Sequence, residues 1–444
     1  MNPYEIMLSE SQERMLVVVE KGKENIIEDI FEKWDLHAVN IGSVTGTGKV
    51  RIFWHDEKVA EVPAHHLVLG GGAPVYYRET RRPEYLDDTG SFDIETLADL
   101  DSDGAHSALR HLLSSPNIAS KEWVYRQYDT MVRTNTLVGP GASDAAVVRI
   151  KGTNKGLAVK TDCNGRYVYL NPRRGGQIAV AEAARNVVCS GGRPVAITNC
   201  LNFGNPYKPE VYWTFKEAVG GMGDACRVFD TPVTGGNVSF YNENPSGAVF
   251  PTPTIGMLGI IDDLERGIVT AEFKQDGDGI YMLAPAGWTF RNDLGGSEYL
   301  SWKVGTVGDA PYMVLDEEHA VHEAMLSLID AGFVASAHDI SDGGLAVCLA
   351  ECAIFAGSLG CNVALNTDIR LDAALFGESQ SRIIFTSSRE PQLADEHTTG
   401  AQLVRIGTVG GESVLISYNG SPVIDLPVET LSHEYHKTLA ERLA

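Results

Sequence analysis

The sequence predicts an α+β protein built from duplicated modules, with helices packed on mixed sheets. Three observations carry that expectation. A segment near the start recurs near the end. Short runs of alternating apolar residues lie between turn residues, as half-buried strands require. Longer runs carry apolar residues at helical spacing. With 444 residues the chain has length for two to three domains with cores of their own.

The repeat is specific. Glu10-Ser11-Gln12-Glu13-Arg14 returns as Glu378-Ser379-Gln380-Ser381-Arg382. The first copy continues through Val39 to Val44, an alternating strand with Val50, Ile52 and Trp54, a polar turn, and Glu61-Val62-Pro63. The second continues through Val404 to Val409, an alternating strand with Val414, Ile416 and Tyr418, an Asn419-Gly420 turn, and Asp425-Leu426-Pro427. Roughly 100 residues of patterned sequence precede Glu378 in its module, whereas nine residues precede Glu10. Residues 1–80 are therefore expected to be the C-terminal part of a truncated module, with a helix around 22–35, a hairpin near 50–62 and an unpaired sheet edge.

Residues 81–120 change character, with Asp87, Asp88, Asp99, Asp101 and Asp103 ahead of Pro116, and read as an acidic linker with a short helix near 105–113. Residues 121–275 form an α/β module. Strands around 146–148 and 157–159 join through a glycine-containing turn, and a helix over 176–190 stops at Gly191-Gly192. A strand at 195–198 and a helix over 211–228 follow. Residues 276–444 form the complete second copy, with a strand at 279–284, a helix near 318–331 and another through Leu345, Leu349 and Cys352.

Composition narrows the function. Net charge is −23, from 36 basic and 59 acidic residues, which argues against a nucleic-acid backbone or an anionic membrane as main partner. No apolar run approaches ~18 residues, and no basic and apolar leader follows Met1. The seven cysteines are scattered without a C-x-x-C pair, a usage that suits a reducing cytoplasm.

Seven short stretches bear on chemistry. Thr234-Gly235-Gly236-Asn237-Val238-Ser239 is either a polar hairpin loop or a loop whose Asn237 and Ser239 oxygens ligate a hard cation and its phosphate. Asn199 to Pro206 lies at the carboxyl end of a strand, where α/β sheets bind ligands, and is equally plain turn chemistry. Gly139 to Asp144 and Thr161-Asp162 are carboxylate-bearing loops of a kind common in turns. A Mg²⁺-nucleotide needs few protein carboxylates. His338 to Gly344 opens a helix, with Ser341 or Asp342 as its cap or with free N–H groups for an anion. The Glu-Ser-Gln-x-Arg copies either hydrogen-bond a sugar or amide, or pair Glu with Arg internally. No phosphate loop of the G-x-x-x-x-G-K-[ST] type exists, and residues 112–318 hold no histidine. Any histidine acid or base must come from outside the middle module.

Taken together, Pro3 to Gln12, Leu201-Asn202-Phe203-Gly204-Asn205-Pro206, Thr234 to Ser239 and His338 to Gly344 resemble the short-type synthetase subunit of phosphoribosylformylglycinamidine synthase. The resemblance spans nearly the whole chain. It implies the superfold of aminoimidazole ribonucleotide synthetase and the ATP-dependent conversion of formylglycinamide ribonucleotide to its amidine in purine biosynthesis, with ammonia from glutamine. By motif, Glu10, Ser11, Gln12 and Ser239 would contact the ribonucleotide, Asn199 and Gly236 ATP, and Asn237 Mg²⁺. Asn199 departs from the aspartate some members carry. The family's catalytic histidine belongs to a module not seen here, so no catalytic residue is assigned, and the chain by itself is expected to bind nucleotide weakly and form no product. The resemblance also implies a cytoplasmic location, a separate glutaminase subunit and a small bridging subunit. Two other readings stand beside it: a non-catalytic half that completes another chain's site, and a small-molecule kinase of the same superfold.

Overall fold

The computed structural model describes residues 1–9, 14–68, 70–141 and 143–444. It divides into two compact units, Met1–Tyr77 and Arg78–Ala444.

In the first unit a capped helix Pro3–Leu8 and the helix Glu24–Glu32 precede an antiparallel hairpin of strands Lys49–Trp54 and Glu57–Pro63. The hairpin turns on His55 and Asp56, both at positive φ, which matches the right-handed strand twist. Glu61 on one strand accepts from Arg51 at 3.0 Å and Lys58 at 3.1 Å. None of these elements buries a residue.

The second unit holds two sheets. The first orders its strands Thr136–Val138, Ala146–Arg149, Gly156–Asp162, Thr252–Ile261, Arg193–Asn202 and Val233–Ser239, with only the last pair parallel. Strict alternation in Thr252–Ile261 marks one covered and one open face. On the covered face lie two helices, Pro172–Cys189 and Pro209–Val228. Asn171 caps the former by accepting from the Arg174 N–H at 3.1 Å, and Pro172 sits in the first turn, where its missing N–H is harmless. The two helices touch backbone to backbone. A Cβ on Gly176 would stand 2.4 Å from the Ala218 carbonyl, and one on Gly221 1.9 Å from the Arg173 carbonyl, so both positions require glycine.

The second sheet orders Ser336–Asp339, Ile383–Ser387, Gly279–Pro285, Ala401–Val409, Cys361–Leu365, Ser413–Tyr418 and Ser421–Pro427, with one parallel pair. Helices Gly344–Ala356, Ser102–Leu113 and Val428–Leu443 bury against one face, and Leu315–Asp330 against the other. Val188 and Cys189, at the end of the first module's long helix, join this latter core. That helix therefore packs on both modules.

Four expectations change. Residues 81–120 are not a linker: Ser102–Leu113 buries Ala105, Ala108, Leu109, Leu112 and Leu113, and Ser102 bonds the Val423 carbonyl. Of the acidic residues there, Asp101 caps that helix by accepting from the Gly104 N–H at 2.8 Å and Asp103 lies in the first turn, while Asp87 and Asp88 belong to the separate helix Tyr85–Gly90. Residues 199–202 and 234–239, read as loops, are the ends of paired strands. The helix Gly344–Ala356 is capped by Gly343 in the left-handed conformation, not by Ser341 or Asp342. Among the described residues no helix is long and apolar enough to cross a membrane.

Candidate functional site

A buried polar seam forms where the long helix meets the second module. Strand Gly156–Asp162 turns Lys160 and Asp162 to its covered face, two residues apart as pleating demands. Facing them, Glu182, Arg185 and Asn186 share one side of Pro172–Cys189, at i, i+3 and i+4. The second module supplies His338 and Asp339 from a strand end and Asp342 from the following loop.

Arg185 has no exposed surface. It donates to Glu318 at 2.6 Å, to Asp339 at 3.1 Å and to Gln380 at 2.7 Å, so three elements of one module converge on one side chain of the other. Beside it, Arg166 pairs with Glu298 at 2.5 Å, and the Tyr167 hydroxyl donates to Glu378 at 2.5 Å. Glu378 also accepts from the Gly343 N–H at 2.7 Å and the Glu298 N–H at 2.9 Å. The helix start that seemed open to an anion is therefore taken by a carboxylate of the protein itself. The internal Glu–Arg pair is absent from this copy: Arg382 bonds the Ser379 and Gly377 carbonyls instead.

The seam holds too many carboxylates for its cations. Burial and the neighbouring Asp339 push Asp162 up to about 6, and burial with Glu298 nearby pushes Asp342 up to about 7. Burial, with Asp162 and Asp339 adding to it, raises Glu182 well above the usual range. Buried acids that hold protons for want of a counter-charge are a donor type a hard divalent cation fits, and Asp162, Glu182 and Asp339 would hold it once drawn together, since their ligand oxygens do not all lie within 4.8 Å of one another. Oxygen or nitrogen atoms of Asp144, His338 and Asp339 also lie within 4.8 Å of one another. The imidazole is the wrong donor there. Its two nitrogens meet Asp144 at 2.6 Å and Glu351 at 3.1 Å, which hold it as a cation far above its ordinary value despite burial. A cavity of about 410 Å³ opens above Asp144 and Lys160, walled by Lys121, Tyr125, Thr161, Tyr435 and His436. Lysines, hydroxyls, aromatic rings and adjoining carboxylates suit a metal-bound phosphate with an aromatic base.

The motif residues lie elsewhere on the same sheet. Asn199 pairs with Gly236 across the parallel ladder, and a Cβ on Gly236 would stand 2.2 Å from the Asn199 Oδ1. Asn237 and Ser239 pair with Cys200 and Asn202, on the opposite face, and the Ser239 hydroxyl meets Asn242 at 3.3 Å. The structure joins the two expected nucleotide residues and separates them from the expected metal residue by the thickness of the sheet. Glu10, Ser11 and Gln12 lie outside the described residues. Conversely, the weakest sequence signals, Asp144, Asp162 and the His338 to Gly344 stretch, come together. Lys160, Glu182, Arg185 and Glu318 escaped notice. The one available signal was three polar residues on a single face of an otherwise Ala- and Val-rich helix.

Comparison with known proteins decides the family. The AIR synthase related protein N-terminal domain matches residues 142–261, and the corresponding C-terminal domain matches 1–55 and 275–418. The chain belongs to the AIR synthase related family. The C-terminal domain thus matches twice, at the two copies of the repeat. The phosphoribosylformylglycinamidine synthase subunit PurL of Salinibacter ruber is 56% identical over 99% of this chain and 59% of its own length. That of Moorella thermoacetica is 50% identical over 100% of this chain and 60% of its own. T. maritima PurL complexed with AMPPCP superposes with TM-score 0.59 at 25% identity, over 92% of this chain and 58% of that one. The chain thus spans about three-fifths of the relatives it matches. The expectation that it begins inside a domain is not borne out by these comparisons, which measure shared length and not where a polypeptide starts.

Proposed function

We propose that this chain is part of a phosphoribosylformylglycinamidine synthase, which uses ATP to convert formylglycinamide ribonucleotide to the amidine in purine biosynthesis. Identity of 56% to a PurL subunit over almost every residue carries the reading. Solved T. maritima PurL complexes with ATP and with FGAR accord with it. The seam and cavity bind the Mg²⁺-nucleotide. Mg²⁺ held there would supply neutralisation of the phosphate charge. Lys160 and Lys121 would meet the phosphates, Asp162, Glu182 and Asp339 would hold the cation, and Tyr125 and Tyr435 would border the base. Arg185 keeps Asp339 in place, and burial of the seam strengthens the attractions within it. By motif, Asn199 and Gly236 remain proposed nucleotide contacts, Asn237 a proposed metal ligand, Ser239 a proposed ribonucleotide contact and, separately, Glu10, Ser11 and Gln12 proposed ribonucleotide contacts. A separate glutaminase subunit supplies the ammonia, with a small bridging subunit, in the cytoplasm.

Titrating the chain with ADP in the presence and absence of Mg²⁺ tests the nucleotide site. Mg²⁺-dependent binding, weakened at least tenfold by Glu182→Gln or Asp339→Asn, is the expected result. Equal binding with and without Mg²⁺, or by both variants, would rule the site out. Incubating the chain with formylglycinamide ribonucleotide, ATP and ammonia should give no amidine.

A further inference from the structure

Glu378-Ser379-Gln380 is the second copy of a motif whose first copy is assigned to substrate, yet each polar side-chain atom of this copy is already bonded within the protein. Glu378 accepts from Tyr167, Glu298 and Gly343; Ser379 donates to Asp293 at 2.8 Å; Gln380 accepts from Arg185 and donates to the Glu378 carbonyl at 2.9 Å. All three residues are buried. A ribonucleotide would have to displace every one of these bonds to reach them.

The partners converge on one loop. Gln380 and Asp339 share the Arg185 guanidinium, so Gln380 fixes the guanidinium that fixes Asp339. Tyr167 lies between Glu378 at 2.5 Å and Asp342 at 3.4 Å, and Glu378 also holds the Gly343 N–H. Residues 339 to 343 are therefore tethered at both ends by the second motif. A carboxylate loop that must receive a cation cannot rest on the ligands alone, because an acid displaced by an ångström no longer reaches the ion.

We infer that the second Glu-Ser-Gln copy is a positioning device: it binds no ribonucleotide, and through Arg185 and Tyr167 it sets Asp339 and Asp342 for the Mg²⁺-nucleotide cleft. This rests on the nucleotide reading above and adds to it a role for Gln380, Glu378 and Tyr167.

The test uses the full chain and two readouts. The first is MgADP and Mg²⁺-free ADP affinity for Gln380→Ala, Gln380→Glu and Tyr167→Phe. The second is amide hydrogen exchange at residues 339–344 without ligand. Gln380→Ala and Tyr167→Phe should each weaken MgADP about tenfold, leave Mg²⁺-free ADP unchanged and speed loop exchange about tenfold. Gln380→Glu, which keeps an acceptor for Arg185, should recover most of the affinity, as a merely structural role would not predict. Wild-type MgADP affinity in both variants overturns the inference, and so does unchanged loop exchange. Failure of the unmodified chain to bind MgADP overturns the nucleotide reading itself, and the exchange result then still decides whether the motif supports the loop. Tyr167→Phe removes one hydroxyl from a packed ring and keeps the test open should Gln380→Ala not fold.

Discussion

Arg185 shows how much one side chain is asked to do. A guanidinium without solvent is tolerated only because Glu318, Asp339 and Gln380 replace its water. Arg185→Met should therefore strand two carboxylates and cost about 3–5 kcal/mol, read as a lowered urea midpoint, with a smaller loss when Glu318 is changed to Gln as well. Glu378 makes a second statement, about pH. Burial and the nearby Asp342 and Glu298 carboxylates raise it to about 8, against 4.5 for an exposed glutamate. A raised folded value means the folded state keeps a proton the unfolded chain releases. The stabilisation is complete below about 4.5 and is lost as pH climbs toward about 8. Glu378→Gln keeps the neutral form at all pH. It should match the unmodified protein at pH 4.5 and exceed it by on the order of 2 kcal/mol at pH 8.5 in chemical unfolding. A variant curve parallel to the unmodified one would place the titration elsewhere. Little of this was legible in advance. Asp144 and Asp162 look like ordinary turn acids, and Arg185 sits in a run whose apolar spacing already accounts for a helix. Which acids share a seam depends on two modules packing, and no local pattern records that.

At the scale of elements the sequence was a better guide. The helices at Pro172–Cys189, Pro209–Val228 and Leu315–Asp330 and the hairpins at both copies follow from spacing and turn residues, because those signals are local. The misses share one cause. Asn, Gly and Ser in 199–202 and 234–239 favour turns, but backbone pairing between Arg193–Asn202 and Val233–Ser239 holds them extended, and the outermost strand has no neighbour for side chains to clash with. The short helix expected near 105–113 is Ser102–Leu113, but the aspartates ahead of it make residues 81–120 read as a linker and hide that its apolar stripe, Ala105, Ala108, Leu109, Leu112 and Leu113, is core. That stripe gives a direct check. Leu109 has no exposed surface, and Leu109→Ala should cost about 2–5 kcal/mol by thermal or urea unfolding, the range for an aliphatic cavity in a core. A true linker would lose almost nothing.

Across the whole molecule the two repeat copies are an internal control, since one hairpin occurs in two settings. Lys49–Trp54 with Glu57–Pro63, and Ser413–Tyr418 with Ser421–Pro427, share a two-residue turn at positive φ and a register irregularity at the same place, after Ile52 and after Ile416. Backbone geometry is thus set by the segment itself. Burial is not: Val414 and Ile416 have no exposed surface, whereas Val50, the counterpart of Val414, is 39% exposed and Ile52, the counterpart of Ile416, is only partly buried. In the second copy the strand Cys361–Leu365 pairs alongside and helices cover the face; in the first the hairpin is a two-stranded sheet by itself. Each apolar side chain left exposed forgoes about 1.5–3 kcal/mol of burial, and an isolated two-stranded hairpin is marginal in water. Residues 1–77 should therefore exchange their amide hydrogens far faster than residues 401–427, although the sequences are related. Mild proteolysis of the chain should remove them and leave a resistant product that begins near Arg78. Protection of the Lys49–Pro63 amides equal to that of Ser413–Pro427 would mean that the exposed face is covered in solution, and would show that the difference in burial between the copies is not a property of the free chain.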